Sequence, residues 1–525
     1  MKSVTILTIA AMAMAAATGC SHDTPTPSPE PPVKGGEFNE FGFTTTAPVT
    51  LSVDYGDMAG MPANVYFEVY DTCPVEETET AYAKIAGVEP LYAGYTDGQG
   101  RFEGTIELPA YIRKAYVLTP AFYARTLLEA TRSGDMLTAS AESGAPANAA
   151  PASTRAKEYH STAVERDGWK TWLGSYDTTY GSIGYEYDGD LKVKNYGALL
   201  KAHASVFDTT KKCPKEYRSS RDLYLEKSAE VVITLLGSNT CWNSSMGYYY
   251  YKTGNKPKSL ADANVVMIFP NTQDGRWSNS PWESRLYQGV ERGTAVQLIY
   301  YPEIADGSKA GATTVFPADY RIGFVLATNA WTNRLRAGDK KYRAATSDGL
   351  SVNNNGVAYQ TPRTAVFRYT DKKSGINSVL FSFEDHTNDE NFSDVVFTMT
   401  SNPVDAVTDI PSVDVNDGKK TANVLRGIYA FEDLWPSRGD YDMNDVMVRS
   451  DYEKVFNEKG VFEESFMLKT FANFAGNANG LAVTLTGAAA DAKLEFSVHK
   501  PGAETFEAAD FERDGKVVLL TPDVK

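Results

Sequence analysis

Phe431-Glu432-Asp433-Leu434-Trp435-Pro436-Ser437-Arg438-Gly439-Asp440-Tyr441-Asp442-Met443-Asn444-Asp445-Val446 is an acidic loop set between two runs of alternating residues. A shorter version stands upstream, from Phe383-Glu384-Asp385 to Asn391-Phe392-Ser393-Asp394-Val395. Aligned on their ends, Glu384 and Asp385 match Glu432 and Asp433, while Asp389, Asn391 and Asp394 match Asp440, Asp442 and Asp445. Before the longer loop, Val424, Arg426, Ile428 and Ala430 alternate with Leu425, Gly427, Tyr429 and Phe431; after it, Val446 and Val448 alternate with Met447 and Arg449. This is the period of two that strands require. Residues 376–383 and 395–400 repeat it around the shorter loop. Each loop therefore joins two neighbouring strands, and the unit occurs twice.

The loops pose an electrostatic problem. Glu432, Asp433, Asp440, Asp442 and Asp445 bring five carboxylates together with only Arg438 to offset them, and like charges 4 Å apart repel by roughly 1 kcal/mol in water and more when desolvated. A hard divalent cation with six to eight oxygen ligands relieves such a cluster, and calcium is the expected ion. Its candidate ligands are Glu432, Asp433, Asp440, Asp442, Asn444 and Asp445 in one loop and Glu384, Asp385, Asp389, Asn391 and Asp394 in the other. A helix-loop-helix calcium hand is rejected: Asp440-x-Asp442-x-Asn444 copies its first half, but Asp445 stands where the sharp turn needs Gly. The competing reading is a solvated turn whose Asp and Asn side chains bond their own backbone. Recurrence of one spacing favours the metal.

The remaining chain is consistent with a β protein. Its 525 residues exceed one core and predict about three domains, and 31 Tyr, 24 Phe and 41 Gly suit turn-rich sheets. A net charge of -16 without a basic run excludes nucleic acid as an expected partner. Residues 1–20 read as an export signal, with Lys2, an apolar run over 4–17, and Ala17-Thr18-Gly19-Cys20 at its end. Those last residues resemble the bacterial lipobox, which implies cleavage before Cys20, acylation of that Cys and attachment to the membrane through acyl chains alone. Residues 21–37 are a tether, with Pro25, Pro27, Pro29, Pro31 and Pro32.

Short strands over residues 38–120 predict a first β-sandwich. Its Tyr95-Thr96-Asp97-Gly98-Gln99-Gly100-Arg101-Phe102 resembles a structural hairpin of carboxypeptidase-regulatory-like sandwiches. Residues 121–157 are expected to hold a short helix near 125–131 and then an Ala/Ser/Pro-rich linker over 139–156. The domain over 158–405 carries one helix at about 193–207, where Leu199, Leu200, His203, Val206 and Phe207 share a face, and His203 reads as a core residue rather than a ligand. Residues 421–525 form a last β domain, expected to be cut short at its end. The expected fold is thus mostly β, a series of antiparallel sandwiches with one or two short helices in the middle domain.

Met246-Gly247-Tyr248-Tyr249-Tyr250-Tyr251, Val266-Met267-Ile268-Phe269-Pro270-Asn271, Tyr320-Arg321-Ile322-Gly323-Phe324 and the two acidic motifs follow the order seen in LruC-domain lipoproteins of Gram-negative bacteria, which the chain resembles over roughly 160–525. The resemblance implies an exported, all-β protein of the cell envelope, facing either the periplasm or the outside, in a family whose activity is unsettled. The first loop departs from the family pattern, with Asn391-Phe392-Ser393-Asp394 in place of Asp-x-Asn-Asp, so a cation there lacks one charged ligand.

No catalytic constellation is visible. The chain has five His, no H-E-x-x-H, no Gly-rich phosphate loop and no G-x-S-x-G elbow. The expected role is binding or structural, adhesin-like, toward a surface glycan or protein. The alternative is a glycan-binding accessory protein or carbohydrate-active enzyme that uses Glu384 or Glu432 and stacks sugars on Tyr248 to Tyr251, Trp242, Trp277 and Trp282. Of the three Cys left after Cys20, Cys213 and Cys241 share a domain and are the expected disulfide.

Overall fold

In a computed structural model the chain is mostly β, with 46% of residues in strands and 7% helical. The structure describes residues 5–10, 46–56, 62–78, 81–141, 159–274, 289–333, 342–371, 375–386, 389–412, 420–433, 442–458, 460–484, 494–499, 503–514, 517–522 and 524.

The first domain is a seven-stranded sheet in the order Tyr92–Tyr95, Tyr66–Tyr70, Lys114–Leu118, Leu127–Ser133, Met136–Ser140, Thr46–Asp54, Arg101–Pro109. Thr46–Asp54 lies inside it, paired over nine residues with Arg101–Pro109 on one side and in parallel with Met136–Ser140 on the other. The helix expected near 125–131 is instead the strand Leu127–Ser133. Leu-Leu-Glu-Ala has helical propensity, but Leu128 and Ala130 alternate with exposed Glu129 and Thr131 and belong to the core, and tertiary burial overrides propensity. The domain therefore runs through Ala141. Most of the expected linker, 142–156, lies outside the described residues.

The middle domain stacks two sheets. One holds Leu223–Leu225, Ser245–Lys252, Val266–Phe269 and Tyr320–Ala327; the other holds Ala229–Ser238, Thr364–Asp371, Ile376–Phe383 and Val395–Asn402. Their facing sides share one core, with Tyr248, Val266 and Phe324 from the first and Ile233, Phe381 and Phe397 from the second. The stretch Glu230–Leu236 is buried on both faces except at Glu230, which explains its near-continuous apolar sequence.

The outer face of that second sheet is covered by α2 (Tyr196–Val206), which follows α1 (Thr162–Arg166). Asn195 caps α2 by accepting the Ala198 N–H at 3.2 Å. Leu199, Leu200 and Phe207 join Phe367, Leu380 and Val396 of the sheet, and Val65, Phe67 and Phe122 of the first domain, in a single cluster. A Cβ at Gly197 would stand 2.1 Å from the Pro62 carbonyl oxygen, so this turn of helix lies directly against the first domain and admits only glycine. Arg292 adds a polar tie: its Nε meets Asp274 Oδ2 at 3.2 Å and its Nη1 donates to the Tyr123 carbonyl at 3.1 Å.

His203 is a core residue as expected, its ring 4.6 Å from those of Phe122 and Phe207. Burial pushes its pKa down from 6.5 to about 3. The unfolded chain thus binds a proton below 6.5 that the fold refuses until about 3. Its contribution to stability is complete above 6.5 and falls as pH drops through that window, approaching about 1.4 kcal/mol per pH unit. Urea midpoints of wild type and His203→Leu will diverge by this slope on acidification; parallel pH curves would contradict it.

The expected Cys213–Cys241 bridge is not formed. The two sulfurs are built into different apolar clusters, Cys213 in the core shared with α2 and Cys241 beside Tyr70 and Trp242, with Cys73 at that cluster's margin. Burial pushes the Cys213 thiol up to about 12, which makes it inert.

The last domain pairs the long strands Lys420–Phe431, Val446–Asn457 and Gly460–Asn473, continues through Thr5–Ala10 to Leu494–His499 and Glu507–Ala508, and packs on a small sheet of Leu481–Thr484, Glu512–Asp514 and Val517–Thr521.

Candidate metal centres

Both acidic loops close the same strand pairing. Ile376–Phe383 and Val395–Asn402 end on Phe383 opposite Val395, and Lys420–Phe431 and Val446–Asn457 end on Phe431 opposite Val446. The next residue on the entering side is Glu384 or Glu432, and the last before the leaving strand is Asp394 or Asp445.

The loops then repeat each other bond for bond. Asp394 Oδ2 accepts the Asp385 N–H at 2.6 Å, and Asp445 Oδ2 accepts the Asp433 N–H at 2.8 Å. Glu384 Oε2 accepts the Phe392 N–H at 3.1 Å, and Glu432 Oε2 accepts the Met443 N–H at 3.4 Å. Phe392 and Met443 both hold positive φ, 59° and 57°, a conformation uncommon outside glycine. Asn391 Oδ1 and Asp442 Oδ1 accept the N–H two residues on, from Ser393 and Asn444. The pairing of Glu384, Asp385, Asn391 and Asp394 with Glu432, Asp433, Asp442 and Asp445 is therefore structural as well as sequential. Asp440, the counterpart of Asp389, lies outside the described residues.

In each loop three carboxylates converge. Ligand oxygens of Glu384, Asp389 and Asp394 lie within 4.8 Å of one another, as do those of Glu432, Asp433 and Asp445, and either group has the spacing to hold a metal ion. In the first loop Asp385 turns its carboxylate to the Thr240 hydroxyl at 2.6 Å, and Asn391 donates to Asp389 Oδ2 and to the Thr209 carbonyl. Asp389 Oδ1 is buried and has no hydrogen-bond partner among the described residues. In the second loop Asp433 also accepts from Asn477, and Asn444 donates to Asp442.

The first centre is the more deeply set. Glu384 and Asp394 are 1% exposed, whereas Asp445 is 9% exposed and Asp442 open to solvent. Burial, then the charge of Asp389, holds Glu384 well above the usual carboxylate range. Burial, then Asp385, does the same to Asp394. Burial also raises Asp389 and pushes Asp385 up to about 7. These groups resist ionising together until a cation joins them.

Residues 316–402, which contain the whole first hairpin, match the model of a domain of unknown function, DUF4114. Residues 47–141, ending where the first sheet ends, match another, DUF8469. No curated protein and no solved structure matches the chain.

Within the DUF4114 region the sequence reading overlooked one functional side chain. Arg363 is 1% exposed, with Nη2 3.3 Å from Glu384 Oε1 and Nη1 3.4 Å from Glu390 Oε1. It was legible from register: Thr364 pairs with Phe383, so the preceding residue stands across from Glu384. Thr240 and Thr209, which arrive from distant loops, carried no such signal.

Of the four tyrosines expected to stack sugars, Tyr250 and Tyr251 are half-buried and the other two offer no surface. Tyr248 and Tyr249 are fully buried, donating their hydroxyls to the Ile299 carbonyl and to Ser347, while Trp242 is also buried. Trp277 and Trp282 lie outside the described residues. Glu384 faces Arg363 inside the fold, where a polysaccharide does not reach it.

Proposed function

We propose that this is a lipid-anchored protein of the bacterial envelope with a binding or structural role, whose two acidic hairpins each take up calcium as a stiffening ion. The observation that carries the reading is the twofold occurrence of one loop, closed by the same three backbone bonds around three convergent carboxylates. All the donors are oxygens, the set suited to calcium, and Asp389 Oδ1 has no hydrogen-bond partner among the described residues. Bound ions cancel the repulsion at the end of each hairpin and pin the loop to its strands. With acylated Cys20 as the anchor, the ions fill from the calcium-rich medium outside the cytoplasm, so the fold reaches full rigidity only after export.

Calorimetry and melting of the mature chain test this, with calcium, magnesium or chelator. At a calcium concentration 100 times Kd the gain is about 2.7 kcal/mol per site, or about 5–10 °C for the larger, middle domain. Absence of both heat and melting shift would sink the reading.

A further inference from the structure

Two stretches of the middle domain rest against the first domain, and the first acidic loop is bonded to both. One of them follows α2. Thr209 donates its N–H to the Pro120 carbonyl at 3.1 Å, and the Thr210 carbonyl accepts the Lys84 N–H at 3.3 Å, so two backbone bonds cross to the first domain here. The loop holds the same stretch from the other side. Asn391 Nδ2 donates to the Thr209 carbonyl at 3.2 Å, and the Glu390 carbonyl accepts the Cys213 N–H at 2.8 Å. Thr209 thereby bridges Pro120 and Asn391 through its own peptide groups.

The other stretch is 239–242. Asn239 donates its N–H to the Asp394 carbonyl at 3.1 Å, and the Thr240 hydroxyl donates to Asp385 Oδ2 at 2.6 Å. The next two residues, Cys241 and Trp242, pack with Tyr70, Val75, Tyr82 and Leu118 of the first domain. Phe392 makes a third and direct link. It is fully buried in the cluster that unites α2 with Val65, Phe67 and Phe122 of the first domain. Its N–H is held by Glu384 Oε2 at a positive φ, and the Arg218 and Arg363 guanidinium groups stand 5.2 and 5.9 Å from its ring centre. A shift of Glu384 moves the backbone on which this ring is set. At the second loop, by contrast, the bonds from Phe474, Ala475 and Asn477 come from its own domain.

We infer that the ion at the first centre governs the docking of the first domain on the middle one. The inference rests on the proposed uptake of calcium there, to which the convergent carboxylates and the buried Asp389 Oδ1 independently point. With calcium bound, Glu384, Asp389 and Asp394 are held together, and the loop presses both stretches and the Phe392 ring against the first domain. Without it the same carboxylates repel across less than 4.8 Å, and the junction opens while each domain keeps its own sheets. A ligand shifts such an equilibrium only by its difference in affinity for the two states. Here the docked state is the one that keeps the ligand oxygens converged. By linkage, docking of the first domain raises the calcium affinity of this centre by the same factor. The two hairpins thus differ in office: the second stiffens its own domain, and the first couples two.

Hydrogen exchange of the full chain, in calcium and in chelator, tests the coupling apart from the uptake beneath it. The Asp385 and Phe392 amides, bonded to Asp394 and Glu384, report the loop; the Lys84 and Thr209 amides report the junction. At a calcium concentration 100 times Kd both pairs will exchange up to about 100-fold more slowly than in chelator. No change at Asp385 and Phe392 overturns calcium uptake at this loop and the inference with it. Slowing there with Lys84 and Thr209 unchanged overturns the coupling alone and leaves the uptake standing. Phe392→Ala removes the ring and keeps the N–H, so it will retain the heat of calcium binding and the slowing at Asp385 but lose most of the slowing at Lys84 and Thr209. Should that variant not fold, Thr240→Val takes its place, and its calcium-dependent slowing at the junction will fall by about 5-fold, the worth of one hydrogen bond. Full slowing at the junction in a folded variant assigns the protection to stabilisation of the whole chain and overturns the coupling.

Discussion

Arg363→Met will lower the stability of the calcium-free protein by about 3–5 kcal/mol, the cost of removing one partner from a buried ion pair. The guanidinium lies between Glu384 and Glu390 and over the rings of Tyr359 and Phe392, at 4.9 and 5.9 Å. Methionine keeps much of the stem's volume, so the loss reports charge rather than a cavity. Without Arg363, Glu384 faces Asp389 and Asp394 and loses the cation it pairs with among the described residues. Saturating calcium will restore part of the loss, because the ion supplies the positive charge that the side chain no longer does. Urea melts with calcium and with chelator measure both. A loss under about 1 kcal/mol, the range of exposed pairs, or equal losses in the two conditions, would show that Arg363 does not balance the centre.

The second large effect changes sign with the ion. Asp394→Asn will stabilise the chelated protein and destabilise the calcium-saturated one relative to wild type. At neutral pH the unfolded Asp394 is ionised. In the calcium-free fold it either stays charged against its neighbours or takes up a proton, and asparagine does neither. The sign follows from burial and from the charge of Asp385, which raise the Asp394 pKa in the fold. Asparagine retains an oxygen for the Asp385 N–H, so the loop keeps its closing bond. With calcium present the variant forfeits a charged ligand and most of the roughly 2.7 kcal/mol that binding contributes. Asp445→Asn in the more open second loop will show the same crossing at smaller size. Destabilisation by Asp394→Asn in both conditions would mean that the carboxylate serves only as a turn cap.

The hairpins were legible because two local signals agreed: a period of two on each flank and a shared spacing of Glu, Asp and Asn between. Nothing beyond the chain's own order was needed to pair Glu384 with Glu432 and Asp394 with Asp445. His203 was legible for the same reason, since helical spacing set it among leucines. Where local and tertiary preferences differ, the reading failed. Leu127-Leu128-Glu129-Ala130 favours a helix in isolation, and a place beside Lys114–Leu118 makes it a strand. The Cys213–Cys241 bridge failed because sharing a domain does not mean sharing a core. Arg363 could be read only from the register of Thr364 against Phe383, a step that the sequence reading did not take, and Thr5–Ala10 was hidden by its place within an expected export signal.

The position of Thr46–Asp54 inside the first sheet bears on how the protein withstands pulling. If Cys20 is the membrane anchor, as proposed, a tug on the body would arrive along the chain at the head of this strand. It is bonded along both sides, nine residues deep on one of them. A load along its axis strains the rows of bonds together in shear instead of peeling them one by one, as an edge strand would allow. The proposed point of attachment would thereby enter the fold through a strand that is loaded in shear.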